Sequence, residues 1–207
     1  MVVLARVDVA RVALNSIHSC AVRTDGRVAC WGANTNGQLG DGGATTYRDL
    51  PGNVPGLGGV AGVALGSAHT CAWLRDGAAR CWGANTGGQI GNGTTVDARS
   101  PVPVAGLTGV VQMALGTHSC ARLMDGTVRC WGFNHGGQLG DGTAVMFRSS
   151  PTVVAGLAGV LEIGVGDAHT CARMSGGTVQ CWGYNVSGQL GDGTTTCLLY
   201  TSPSPRD

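Results

Sequence analysis

Hydrophobic and polar residues alternate along short stretches of this chain with a period of two. In Val110-Val-Gln-Met-Ala-Leu115, Val111, Met113 and Leu115 are expected on one face, and Leu161, Ile163 and Val165 repeat the arrangement. That period marks strands buried on one side. A second apolar segment follows each stretch, as in His18-Ser-Cys-Ala-Val-Arg23, then the loop Thr24-Asp25-Gly26, then Arg27-Val-Ala-Cys-Trp31. Three-residue hairpin loops commonly combine a type I turn with a residue of positive φ. Gly26, Gly77, Gly126 and Gly177 stand at that last position, which a glycine adopts without steric cost. No segment carries a sustained helical period, so strands are predicted throughout.

The loop sets a register in which Cys20 faces Cys30 and Ser19 faces Trp31. The same ten-residue spacing pairs Cys71 with Cys81, Cys120 with Cys130, and Cys171 with Cys181. Each cysteine pair falls at a non-hydrogen-bonded position, where Cα atoms approach to about 4.5 Å. Trp31, Trp82, Trp131 and Trp182 each stand opposite a Ser or Thr. A large residue thus meets a small one, which permits close stacking of sheets.

These segments recur. His-Ser/Thr-Cys begins at His18, His69, His118 and His169, and Gly-Gln-Leu/Ile-Gly begins at Gly37, Gly88, Gly137 and Gly188. The expected units are 1–56, 57–106, 107–156 and an incomplete 157–196. Many short strands, glycine-rich turns and a period near fifty residues point to a β-propeller with one four-stranded blade per unit.

Composition narrows the chemistry. The 13 basic residues are all arginine, which excludes a phosphate loop ending in Gly-Lys-Ser/Thr and any Schiff-base lysine. Glu162 is the single glutamate, which excludes a glutamate pair for glycoside hydrolysis. A net charge of +1 without a basic run argues against nucleic acid as a partner. No segment reaches the about 18 apolar residues of a spanning helix. The start, Met1-Val-Val-Leu-Ala-Arg6-Val-Asp8, lacks a basic region followed by an apolar stretch, so it is not read as a signal peptide. Six of the eleven aspartates directly precede a glycine, which assigns them to turns rather than catalysis.

Three readings of the facing cysteines stay open. Cys20–Cys30, Cys71–Cys81, Cys120–Cys130 and Cys171–Cys181 form hairpin disulfides in the first, which implies an oxidising compartment. His18, Cys20 and Cys30, with their counterparts, form open zinc sites in the second. The third leaves the thiols free and packed as small apolar groups. The disulfide reading is preferred, with no metal and no cofactor expected. Calcium at Asp41, Asp141 and Asp192 is disfavoured, because Asn92 takes the place in the second unit and further acidic ligands are absent. His18, His69, His118 and His169 are read as structural, each donating to backbone near the preceding turn. The four tryptophans are structural too. His135 lies outside the pattern and is expected to be exposed.

Between the units' last Gly turn and their Pro, the residues vary. Tyr47, Arg48, Asp97, Arg99, Met146, Phe147 and Arg148 fall there. One reading is ordinary loops with arginine bound to backbone; the other is a contact surface on a rigid scaffold.

The string His-Ser-Cys-Ala-x-x-x-Asp-Gly-x-Val-x-Cys-Trp-Gly-x-Asn-x-x-Gly-Gln-Leu-Gly-Asp-Gly resembles the regulator of chromosome condensation repeat, over residues 7–196. The resemblance implies an all-β fold, with four blades of a seven-bladed propeller. It also implies a non-catalytic module acting through protein contacts; loops at one end of a rigid propeller could equally take a glycan, the second class of partner. With the cysteines, it points to an extracellular, periplasmic or cell-surface setting. The alternative is a cytoplasmic guanine-nucleotide exchange factor for a small GTPase, as for the family's namesake. Residues 197–207 depart from the repeat apart from a proline and resemble translated adapter sequence. They are read as a non-native tail, with a genuine diverged end as the alternative, and are left out of the fold reading; Cys197 is the odd ninth cysteine.

Overall fold

The computed structural model describes residues 8–203. Met1–Val7, which carry the reading of the chain start, and residues 204–207 lie outside the described residues. Each repeat forms one antiparallel four-stranded sheet. The first comprises β1 (Val9–Leu14), β2 (His18–Arg23), β3 (Val28–Ala33) and β4 (Tyr47–Asn53). The second comprises β5 (Val60–Leu65), β6 (His69–Leu74), β7 (Ala79–Gly83) and β8 (Ala98–Pro103). The third comprises β9 (Val110–Leu115), β10 (His118–Leu123), β11 (Val128–Phe133) and β12 (Phe147–Val153). The fourth comprises β13 (Val160–Val165), β14 (His169–Met174), β15 (Val179–Gly183) and β16 (Leu198–Pro203). In every sheet the strands lie in chain order. First strands of successive sheets are neighbours, β1 with β5, β5 with β9, and β9 with β13. These strands line the inner side, and β4, β8, β12 and β16 form the outer edge. This is the blade arrangement of a β-propeller. No helix of the described residues is long and apolar enough to cross a membrane.

The central hairpins adopt the register set by their loops, with Cys20 opposite Cys30 and Ser19 opposite Trp31. Gly26 has φ 79°, as that turn requires. The inner strands differ from strict alternation. A bulge follows the first residue of each, between Val9 and Arg11, Val60 and Gly62, and Val160 and Glu162, with the same irregularity beside Val110. An extra residue on one strand shifts the faces by one. Val110 and Val160 are therefore buried beside Met113 and Ile163, whereas Leu161, expected inward, is 47% exposed. Residues 198–203, set aside on sequence grounds, form the outer strand of the fourth blade. Pro203 stands opposite Gln180 there, as Pro103 stands opposite Arg80 in the second blade.

The core lies between blades rather than within them. One buried cluster joins Val22, Val28 and Leu39 of the first blade to Val63, Leu65 and Trp82 of the second. Equivalent clusters join Cys81 and Ile90 to Met113 and Trp131, and Val128 and Leu139 to Ile163 and Trp182. The Gly-Gln-Leu/Ile-Gly turn builds each seam. Its Leu39, Ile90 or Leu139 is fully buried. The Gln38, Gln89 and Gln138 carbonyls accept the indole N–H of Trp82, Trp131 and Trp182 from the next blade, at 2.9, 2.9 and 3.0 Å. The closing glycine lies against the same ring. A Cβ on Gly91, whose φ is +75°, would fall 2.6 Å from Trp131 Nε1.

The recurrent histidines belong to these seams, and their partners are not the backbone groups expected. His18, His69 and His118 lie 2.9, 2.8 and 2.7 Å by Nε2 from the hydroxyls of Thr70, Ser119 and Thr170 in the following blade. Each hydroxyl donates its own proton to the carbonyl of Gln38, Gln89 or Gln138. Nε2 must then be the donor, which makes each imidazole the neutral Nε2–H tautomer. His169 is partly buried in the fourth blade. The facing cysteines are bonded within each hairpin, with S–S distances of 2.06–2.11 Å and Cα–Cα distances of 4.1–4.2 Å. Cys197 is free and partly buried. With cysteines and seam histidines so engaged, the described residues assemble no group of three metal-ligating side chains.

Candidate interaction surface

The variable residues gather at one edge of the blades, where each outer strand begins. Tyr47 pairs with Ala33 at the end of β3, and Phe147 pairs with Phe133 at the end of β11. The framework under this edge is tied down by the Asn of each repeat. The side-chain carbonyls of Asn34, Asn85, Asn134 and Asn185 accept the backbone N–H of Leu39, Ile90, Leu139 and Leu190 at 2.9–3.0 Å. The side-chain carbonyls of Gln38, Gln89, Gln138 and Gln189 accept from residues 36, 87, 136 and 187 within the same turns.

On this base the seven variable residues separate into two kinds. Arg48 donates to Asp41 at 2.7 Å and Arg148 to Asp141 at 2.9 Å, each partner lying seven residues earlier across the loop. Burial opposes the charge on Asp141, but the Thr143 hydroxyl and amide and the Arg148 guanidinium outweigh it and hold the carboxyl below its ordinary range. The second repeat carries Asn92 where the others have this aspartate. Its Arg99 instead crosses to the first blade and donates to the carbonyls of Thr35 at 3.0 Å and Gly43 at 3.1 Å. Asp97 also spans the seam, accepting from the Asn85 N–H at 2.8 Å and the Asn36 amide at 3.1 Å. The arginines and Asp97 are thus engaged within the molecule. Tyr47, Met146 and Phe147 are 70%, 64% and 44% exposed, and Val96 joins them at 71%. Large apolar side chains therefore project from a fixed polar frame along one edge.

The structure adds a feature that the sequence reading passed over. The residue after Cys-Trp-Gly is Ala33, Ala84, Phe133 and Tyr184 in turn. Phe133 stacks on His135 with ring centroids 5.3 Å apart and an interplanar angle of 23°. His135 is exposed, as expected. With Thr117, Gln138, Ala168 and Tyr184, these rings line a cleft of about 400 Å³ between the third and fourth blades. The change from alanine to aromatic at one repeat position was the available signal.

A disulfide-bonded sector of a β-propeller with exposed apolar side chains along one edge defines a repeat scaffold. The chain matches the "Regulator of chromosome condensation (RCC1) repeat" over residues 25–73, 76–123 and 125–173, and a second form of that repeat over 9–38, 60–89 and 160–189. It belongs to the regulator of chromosome condensation repeat family. Among curated relatives it is similar to the human probable E3 ubiquitin-protein ligase HERC3, 35% identical over 200 residues, or 93% of this chain and 19% of that protein. The chain thus spans about a fifth of that relative's length. Among solved structures it is similar to human WBSCR16, with a TM-score of 0.83, 25% identity, and coverage of 95% of this chain and 52% of that one. It also resembles yeast RCC1 (Prp20) bound to Kap60, with a TM-score of 0.86, 21% identity, and coverage of 98% and 50%.

Proposed function

We propose that this chain is a non-catalytic protein-interaction module that binds a partner through the edge carrying Tyr47, Val96, Met146 and Phe147. The observation that supports it most is the contrast between these exposed apolar side chains and the bonded arginines beneath them. Rigid anchors reduce the ordering cost of binding, and a few residues, tyrosine among the commonest, carry most of the energy of an interface. The yeast neighbour RCC1 (Prp20) was itself solved with a protein, Kap60, bound to it. Cross-linking mass spectrometry in the native host tests the reading. Cross-links to one protein are expected on residues 44–50, 94–100 and 143–150, and to be lost when Tyr47, Met146 and Phe147 are all changed to serine. Cross-links elsewhere, or ones indifferent to the triple change, would refute it. Accelerated nucleotide release from a small GTPase would favour the exchange-factor alternative.

The setting proposed is extracellular, periplasmic or cell-surface, on the ground of four cysteine pairs at bonding distance. Alkylation of denatured protein from its native host is expected to label one thiol, Cys197, before reduction and all nine cysteines after it. Nine labelled thiols before reduction would place the protein in a reducing compartment.

A further inference from the structure

We propose that the cleft between the third and fourth blades receives a neutral aromatic side chain, tryptophan or tyrosine, from the protein partner. This rests on the interaction reading above and gives that surface its anchor. The rings at this cleft are a local departure from the repeat. Where the first two blades carry Ala33 and Ala84, the next two carry Phe133 and Tyr184. Where the first two carry Thr35 and Thr86, the third carries His135. The preceding blade makes room for each large residue. A Cβ on Gly87 would lie 2.6 Å from the Phe133 ring, and one on Gly136 would lie 2.9 Å from Tyr184 Cβ. The first blade, which faces an alanine, has Asn36 at that position. Aromatic residues and the glycines that admit them thus occur together at the second–third and third–fourth seams and not at the first, and both rings, Phe133 and Tyr184, line the third–fourth cleft.

The lining selects the ligand. It holds no carboxylate to balance an ammonium and no guanidinium, and the His135 ring, its one basic group, is itself stacked on Phe133. Two of its polar groups are engaged within the molecule. Thr117 donates to the Asp167 carbonyl, and the Gln138 side-chain carbonyl accepts from Gly136, which leaves the Gln138 amide N–H as donor. Beside that amide the lining offers the Tyr184 hydroxyl and the His135 ring nitrogens, and an indole N–H or a phenol needs only one such partner. A flat apolar ring would stack on the Phe133–His135 pair beside the half-exposed Tyr184. A volume of about 400 Å³ lies at the small end of ligand pockets, which suits one ring system. The cleft also adjoins the proposed edge, since Phe133 pairs with Phe147 and the Asn134 N–H donates to the Met146 carbonyl at 2.8 Å.

The test is a titration of N-acetyl-tryptophanamide into the ¹⁵N-labelled full chain. Saturable amide shifts are expected at Thr117, 133–138, Ala168 and Tyr184. N-acetyl-leucinamide should bind about fivefold or more weakly, and Phe133→Ala and Tyr184→Ala should each weaken tryptophanamide by about the same factor. Both variants install the residue that the first two repeats already use, and a dispersed spectrum checks their fold. Absence of saturable shifts, shifts elsewhere, or equal binding of leucinamide would overturn the proposal. So would tighter binding of N-acetylglucosamine, which would assign the cleft to a glycan. Edge cross-links without tryptophanamide binding would remove the pocket alone. Tryptophanamide binding without edge cross-links would remove the protein partner and leave a ring-binding cleft.

Discussion

Replacing Trp131 by alanine is expected to lower the unfolding free energy by about 3–5 kcal/mol, the range for deleting a large buried aromatic side chain. Trp131 is fully buried at the seam between the second and third blades, packed with Ile90, Met113 and Leu115. Gly91 lies so close to the indole that the turn is shaped around it. Collapse into the vacated space is hindered because the turn beneath is fixed by its own bonds, Asn85 to Ile90 and Gln89 to Gly87. The lost indole N–H is the smaller part of the effect. The Gln89 carbonyl keeps a second donor, the Ser119 hydroxyl at 2.8 Å. Trp131→Phe should therefore cost about 1–2 kcal/mol, combining reduced packing with one hydrogen bond. Trp31, partly exposed on the first blade, provides the comparison. Its change to alanine should cost clearly less than the same change at Trp131. Denaturant unfolding of the three variants, with disulfides intact, checks the order. Equal losses at Trp31 and Trp131 would mean that the energy does not reside in the seams.

The contrast shows what one sequence reveals. Everything internal to a hairpin was legible, because an Asp-Gly turn and a ten-residue cysteine spacing set register locally, as at Cys71 and Cys81. The exact pairings between blades were not legible, since periodicity within a repeat does not say which group of the next repeat it meets. The histidines were assigned backbone partners and instead meet Thr70, Ser119 and Thr170 across the seams. The inner-strand bulge also escaped, because Val110-Val111 and Val160-Leu161 are apolar at both positions and alternation cannot choose between them. The recurrent arginine was noticed, but its aspartate lies seven residues away across an irregular loop, outside any strand or helix rule. The aromatic cleft needed comparison of differences among the repeats, whereas the repeat was found from its constants.

The seam histidines make stability depend on pH. Burial lowers His18 to about 4 and His69 to about 3, and burial likewise lowers His118 to about 3. The charges of His18 and His118 add to the effect at His69, and at His118 the Asp167 backbone opposes it while His169 adds to it. Protonation would also oblige a bare Nδ1 to find an acceptor, and His18 Nδ1 is buried with none among the described residues. All three groups bind a proton more tightly in the unfolded chain, where the ordinary value is 6.5. The stability they permit is complete above that pH. It falls as acid drops below 6.5, until the folded groups titrate near 4 and 3. Each contributes a slope of about 1.4 kcal/mol per pH unit inside its window. Three together approach about 4 kcal/mol per unit, large against the about 5–15 kcal/mol that holds a domain. The aspartates with lowered values, Asp125, Asp141 and Asp192, act below their ordinary 3.8, so the two effects overlap only there and the histidines alone act between pH 7.5 and 5. Denaturant unfolding at pH 7.5, 6 and 5 should show a steep loss of stability with disulfides intact. His118→Gln removes one titrating group and should reduce the slope by about one proton, whatever it costs in absolute stability. A flat profile between pH 7 and 5 would show that the seams admit charged imidazole, and the buried histidine–hydroxyl–carbonyl relay would then not be the joint between blades.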